Sequence, residues 1–317
     1  MEKHDKTTAQ IARIKKSPLF YLKRDWRLYL LVLLPVSFVI IFKFAAYPGL
    51  RMAFMNYKPA KGYSGSDWVG FGTFAKVFKD KDFLLALKNS LIFNILDLAV
   101  TFPAPIILAL MLNEVRKPMF KKVTQTILYL PHFLSWVIIA SVALTLFKPE
   151  TGLVNIFLLN NGIIEKGIPF ISEKWHWAVT YLLIGVWQTM GWNTIIYLSA
   201  IAGISPDLYE AATIDGCNKM QRIWHITLPG IRATAVTLLI MNLGRLMGSN
   251  FERLSALGNV QVHDFQYQLA IYIYEKGLSG GQFSLATAVG LFQSLVGLIL
   301  VVIADRVAKA LGENGLI

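Results

Sequence analysis

Apolar residues fall along this chain in blocks of about 20, the length that crosses about 30 Å of hydrocarbon as a helix. Six blocks stand out, at residues 29–49, 89–112, 126–147, 176–201, 231–249 and 284–305, with polar stretches between them. The pattern predicts an all-α polytopic membrane protein with about six transmembrane helices. Pro103 and Pro105 sit inside the second block, where a ring without an N–H predicts a kink. The fourth carries Trp177, Trp187 and Trp192. Between the third and fourth, ETGLVNIFLLNNGIIEKG reads as a short helix followed by a turn.

Composition supports the membrane reading. The 317 residues are 55% hydrophobic and 16% charged, with mean hydropathy +0.51; soluble domains are about a quarter charged. The single cysteine, Cys217, excludes an internal disulfide and a cysteine metal cluster. A net charge of +12 would suit nucleic acid only if clustered on a soluble domain. None is seen, so the basic residues read as membrane-flanking anchors and no nucleic-acid partner is expected. The opening stretch is basic, but too long and polar for a cleaved signal, so the first apolar block is expected to be retained. Its Lys and Arg residues favour cytoplasmic N- and C-termini around six spans. The organisation expected is a basic cytoplasmic segment at 1–28, a transmembrane domain at 29–305 and a cytoplasmic tail at 306–317.

The stretch between the fourth and fifth blocks, about 205–230, is polar yet well punctuated. Ser205 can cap a helix starting at Pro206, with Asp207 and Glu210 in or near its first turn. Gly216 suits a left-handed stop. Asn218 can cap a second helix, with Gln221 completing a capping box. Met220, Ile223, Trp224 and Leu228 then form one apolar stripe at helical spacing, and Pro229-Gly230 ends it. Such a loop can be a purely structural amphipathic element, or one that docks on another protein.

The run EAATIDGCNKMQRIWHITLPGI resembles the EAA loop of binding-protein-dependent ABC importer permeases, with Glu210, Ala211, Ala212, Gly216, Ile226, Leu228 and Pro229 matching its pattern. The resemblance extends to LALMLNEVRKPMFKKVTQTILYLPHFLSWVIIA and FSLATAVGLFQSLVGLILVVIADRVAKALGENGLI, which are similar to carbohydrate-type, and especially polysaccharide- and alginate-type, permeases. One departure is LSALGNVQVHDF, where many relatives have a Gly-Gly-Pro turn after span five. The resemblance implies a type I ABC importer permease fold in the bacterial cytoplasmic membrane. It also implies that the loop is a cytoplasmic coupling helix docked on an ATPase subunit. Glu210, Ala211, Ala212, Asp215, Gly216, Met220, Trp224, Leu228 and Pro229 would then carry the coupling. The implied partners are a second permease, two ABC ATPases, an extracytoplasmic solute-binding protein, an oligosaccharide and membrane lipid.

The chain has no GxxxxGK[ST] phosphate loop, no HExxH and no dense His/Cys cluster. It is expected to be non-catalytic and to hold no cofactor, with ATP and Mg bound by the partner ATPases. The string LSGGQ at Leu278–Gln282 copies an ATPase signature, but reads more simply as a Gly-rich turn into span six, with Ser284 a candidate cap.

Polar groups inside spans are costly and tend to face a cavity. Asn94, Asp97, Gln188, Asn193, Asn242, Arg245 and Gln293 are therefore candidates for the substrate path, with Trp187 and Trp192 as stacking surfaces for sugar rings. Asp97 and Arg245 can pair with each other, or Arg245 can meet an acidic sugar such as a uronate. Gly244 and Gly248 form a G-x-x-x-G spacing that suits helix packing. The functional reading is the permease subunit of an ATP-driven oligosaccharide importer; the rivals are an ATPase-independent transporter or channel, and a non-transport membrane protein.

Overall fold

The computed structural model describes residues 24–248, 250–313 and 315–316. Most of the expected segment 1–28 lies outside the described residues. Two units are distinguished, one ending at Arg51 and one starting at Met52. In the first, α1 (Trp26–Val39) runs on through a π-helical turn at Ile40–Phe44. Its apolar side chains, Leu31, Leu34 and Phe42 among them, face outward, as a lipid-bathed helix requires.

In the second unit, a two-stranded antiparallel hairpin, β1 (Met55–Lys58) and β2 (Gly62–Trp68), precedes the helices. It is a small departure from the all-α expectation. Then follow α2 (Gly72–Lys79) and α3 (Lys81–Thr101), the latter capped by the Asp80 carboxylate on the Asp82 N–H. Pro103 starts α4 (Pro103–Asn113), so the second span is broken at Phe102, as the prolines predict.

The third block is not one straight span. Helix α5 (Pro118–Tyr129), a 3-10 turn at Leu130–Phe133 and α6 (Trp136–Phe147) are bent by 107°. Pro131 removes a helical donor, and Ser135 restarts the chain by accepting from the Ile138 N–H. The expected short helix is α7 (Leu153–Asn160), and Gly162 turns the chain after it at φ 66°. Then comes α8 (Lys174–Ala202), 29 residues and about 43 Å long. It is the central post of the unit, burying Trp177, Tyr181, Ile184, Thr194, Tyr197 and Ile201.

After the loop helices α9 (Pro206–Ile214) and α10 (Lys219–Arg222), the fifth span is α11 (Arg232–Gly244). It stops five residues short of the expected 249. The chain turns through Arg245–Met247 and re-enters helix as α12 (Phe251–Leu257). The last span is α13 (Phe283–Ala310). Its tail folds back, the Leu316 N–H reaching Asp305 and the Arg232 guanidinium reaching Glu313 at 2.8 Å.

Among the described residues three stretches are long and apolar enough to cross a membrane, or five if each of two bent pairs is one span. Helix α8 is long enough to be a sixth, but Gln188, Asn193 and its tryptophans dilute its apolar character. The larger core joins α2, α3, α8, α13 and the segment before α13, around Phe83, Trp177, Leu254, Leu269 and Tyr272. A second cluster, Ala109, Tyr197, Ile201 and Ile231, binds α4, α8 and the start of α11.

Candidate functional site

The loop between α8 and α11 is a set of local hydrogen-bond solutions. Ser205 accepts from the Asp207 N–H with Pro206 as the first helical residue. At the other end of α9, the Cys217 N–H bonds the Ala212 carbonyl at 2.8 Å and the Gly216 N–H bonds the Thr213 carbonyl at 3.2 Å. That pair of bonds is a Schellman closure, and it needs the left-handed φ of 76° that Gly216 adopts. Asn218 and Gln221 form the expected capping box. The second helix then widens into a π turn at Ile223–Thr227, continues through Leu228–Gly230 and meets α11 at a 58° bend. The Tyr209 hydroxyl and Thr227 Oγ1, 3.0 Å apart, tie the two arms together.

The elbow is rigid inside and sticky outside. Ala212 is buried and Leu228 half-buried, whereas Glu210, Ala211, Asp215, Gly216 and Pro229 are exposed. Among the described residues Glu210 makes no side-chain hydrogen bond or ion pair. Leu208, Ile214, Met220 and Trp224 are also exposed, Ile214 at 86% and Trp224 at 63%. Of the expected apolar stripe, Ile223 and Leu228 are half-buried, while Met220 and Trp224 find no cover among the described residues. An apolar patch beside an unpaired carboxylate is the signature of a protein-docking surface.

The second site is a polar recess where α3, α4, α8 and α11 meet. One hollow of about 140 Å³ is lined by Thr101, Phe102, Asn193, Tyr197, Asn242 and Arg245 among others. A hollow of about 180 Å³ that shares Thr101, Asn242 and Arg245 adds Asn94, Asp97 and Gly248. Five of the candidate pathway residues, Asn94, Asp97, Asn193, Asn242 and Arg245, are thus brought together. Thr101, Phe102 and Tyr197 also line it without having been anticipated; for Thr101 and Phe102 the adjacent Pro103 was the available signal, and for Tyr197 there was none.

The break after Gly244 shapes the recess. Non-helical backbone at membrane depth must have its carbonyls satisfied. Asn94 Nδ2 donates to the Leu246 carbonyl at 2.6 Å, and Gln293 Nε2 donates to the Met247 carbonyl at 2.8 Å. These amides hold the turn, so Gln293 is a backbone partner and not a lining residue, and the Asn94 amide is committed. Gly244 packs tightly on α13, where a Cβ would press on Val301; a Cβ at Gly248 would meet only the Arg245 carbonyl of its own turn. The two glycines therefore do not form one packing face.

Asp97 does not pair with Arg245. Its Oδ1 accepts from Arg253 Nη1 at 3.0 Å, while Arg253 Nη2 donates to the Tyr181 carbonyl at 2.5 Å. The guanidinium lies over the Tyr181 ring, 3.7 Å from its centroid, and only 6% of the Arg253 side chain is exposed. Gly185 leaves the room; a Cβ there would fall on the guanidinium. Arg253 lies beyond the fifth apolar block, so nothing local marked it as Asp97's partner. Arg245 is exposed and, among the described residues, has no side-chain partner.

The aromatic candidates lie elsewhere. Trp187 lines an apolar hollow of about 320 Å³ between α6 and α8. Trp192 stacks on His132, centroids 4.7 Å apart and planes 8° apart. Gln188 is buried. Leu278 and Ser279 end a π-helical segment, Ile273–Ser279, and only Gly280–Gln282 form the expected turn into α13, with Gly281 at φ 68°; Gly277 packs against Ala286, and Ser284 accepts from the Tyr57 N–H instead of capping.

Residues 101–313 match the family described as binding-protein-dependent transport system inner membrane component. The chain is 42% identical over 302 residues to the polygalacturonan/rhamnogalacturonan transport system permease protein YteP of Bacillus subtilis (strain 168), covering 95% of this chain and 94% of that one. It is 39% identical to Protein LplB of the same organism, covering 93% and 92%. Among solved structures, a chain of a bacterial alginate ABC transporter, in complex with alginate pentasaccharide-bound periplasmic protein, superposes with TM-score 0.84 at 35% identity, covering 95% of this chain and all of that one. With its spans, its broken helices and its exposed loop, this multi-pass membrane chain belongs to the family of inner membrane components of binding-protein-dependent transport systems.

Proposed function

We propose that this chain is one permease subunit of an ATP-driven importer of oligosaccharides, with acidic, uronate-containing chains among its substrates. It pairs with a second, similar permease and two ATPase subunits that bind ATP and Mg, and receives substrate from an extracytoplasmic binding protein. Both termini face the cytoplasm. The chain catalyses no reaction itself; nucleotide-driven closure of the ATPases reaches the spans through the 205–230 loop and opens the path alternately to each side.

The observation that carries this reading is the exposure on that well-capped elbow of Leu208, Ile214, Met220 and Trp224 together with Glu210, whose carboxylate has no partner among the described residues. A channel or ATPase-independent carrier has no use for a rigid docking lever there. The substrate class is supported by the relatives named for polygalacturonan, rhamnogalacturonan and alginate, and by a polar recess suited to sugar hydroxyls. The test is co-expression with the neighbouring transport genes. ATPases that co-purify, and oligosaccharide uptake into proteoliposomes that needs both ATP and the binding protein, support the proposal; uptake without either refutes it.

A further inference from the structure

The recess carries a charge that no side chain among the described residues answers. Asp97 and Arg245 line the same hollow, yet the Asp97 carboxylate is engaged by Arg253. That leaves Arg245 as an uncompensated cation, exposed to the hollow and without a side-chain partner among the described residues. It sits at the C-terminal end of the 13-residue α11, about 20 Å along that helix. A cation at such depth is too costly to face lipid, so it faces water or an anion. The carbonyl end of a helix favours a cation locally. Its neighbours Asn193 and Asn242 offer two amides, and the Thr101 hydroxyl, whose proton goes to the Asp97 backbone carbonyl at 2.6 Å, offers its lone pairs.

We propose that Arg245 reads the carboxylate of a uronate unit as an acidic oligosaccharide crosses the membrane. This rests on the permease reading above and adds a specificity residue to it. A guanidinium presents a planar fork that matches a carboxylate with two parallel hydrogen bonds. The amides and the hydroxyl around it fit the ring hydroxyls of the same sugar. Pairing Asp97 with Arg253 serves the same end, because an unengaged carboxylate in the hollow would repel the substrate and compete for Arg245.

The test uses the complete transporter in proteoliposomes, with tri-galacturonate and its carboxyl-reduced neutral counterpart as probes. Arg245→Gln lowers the acidic-to-neutral uptake ratio about tenfold, the scale of a lost charge pair at a partly hydrated site. Arg245→Lys recovers much of the ratio, and both variants assemble normally on size exclusion. If the wild type carries only the acidic probe, the same ordering is read from its uptake, with Gln well below Lys and wild type. An unchanged ratio in Arg245→Gln overturns the inference. So does equal loss of both probes, or failed assembly of both variants, either of which places a carboxylate of the second permease against Arg245. A wild type that carries only the neutral probe overturns this inference and leaves oligosaccharide import standing; one that carries no oligosaccharide at all overturns both.

Discussion

Removing the Asp97 carboxylate should cost this chain more than removing the arginine it serves. Arg253 is almost fully buried, wedged between the Tyr181 ring and Gly185, and cannot retreat to water. Asp97→Ala leaves that cation unpaired, a change that typically costs about 3–5 kcal/mol. The lower end applies because 29% of the Asp97 side chain is exposed, so water can partly replace the lost oxygen. Arg253→Met keeps much of the volume and leaves behind only a carboxylate that water already reaches, so about 1–2 kcal/mol is expected. At about 2–4 °C per kcal/mol, the first variant should melt about 6–12 °C below wild type. The double variant should be less destabilised than the sum of the singles by about 1–3 kcal/mol. The assay is thermal unfolding of the purified chain in detergent at a fixed scan rate, followed by tryptophan fluorescence. An Asp97→Ala melting point within about 1 °C of wild type, or the reverse order of the two single variants, would refute the buried-cation argument.

Glu210→Lys should leave the complex assembled but lower binding-protein-stimulated ATP hydrolysis and uptake together by about tenfold, since a charge reversal in a docked interface costs on the order of 1–2 kcal/mol; wild-type rates would remove the docking role. Gly216→Val should do more damage, because at φ 76° a left-handed side chain costs about 1–2 kcal/mol and the elbow must distort; wild-type uptake would show that the elbow is not needed. A cysteine near residue 212, at the exposed Ala211, should react with an impermeant thiol reagent only from the cytoplasmic side and one near residue 160 only from outside, Cys217 being replaced first; the opposite pattern overturns the orientation. The hydrogen bond from Lys174 holds the Asp264 carboxyl below the usual carboxylate range. Its stabilisation is therefore present above the unfolded value of about 3.9 and lost as pH falls through the lower folded value; Asp264→Asn should flatten the melting profile below about pH 4, and an unchanged profile counts against the pair. Ser279→Ala in the LSGGQ string, at the end of the π-helical segment, should keep ATP hydrolysis of the assembled complex within about twofold of wild type, as a substitution away from any nucleotide does; abolished hydrolysis would mean the string contacts nucleotide after all.

The loop at 205–230 was legible almost residue by residue, because its caps and its stop are local; only the Tyr209–Thr227 tie, 18 residues apart, was not. Ser205 to Asp207, Asn218 to Gln221 and Gly216 to its own helix all act within five residues. Caps and left-handed glycines can be read from neighbours alone. The spans were legible as lengths of apolar chain, and Pro103 announced its own break. The bend in the third block was also written in the sequence, as Pro131 followed by Ser135, but the apolar run continues through both and hydropathy cannot see a backbone direction.

The recess was half legible for a different reason. A polar residue in a span states that something must satisfy it, not what does. Asn94, Gln293, Asp97 and Arg245 all met that criterion equally. The structure separates them by backbone accounting. Where α11 stops at Gly244, the carbonyls of Leu246 and Met247 lose their helical donors and need others. Asn94 and Gln293 supply them from two different spans, 152 and 46 residues away in sequence. Asp97 is taken by an arginine 156 residues away that lies beyond the apolar blocks. Once those needs are met, the polar groups left over are the ones whose hydrogen-bonding capacity the chain itself does not use. Arg245 stands out in the recess because its neighbours' obligations are discharged elsewhere, a property of the folded chain that no window of sequence contains.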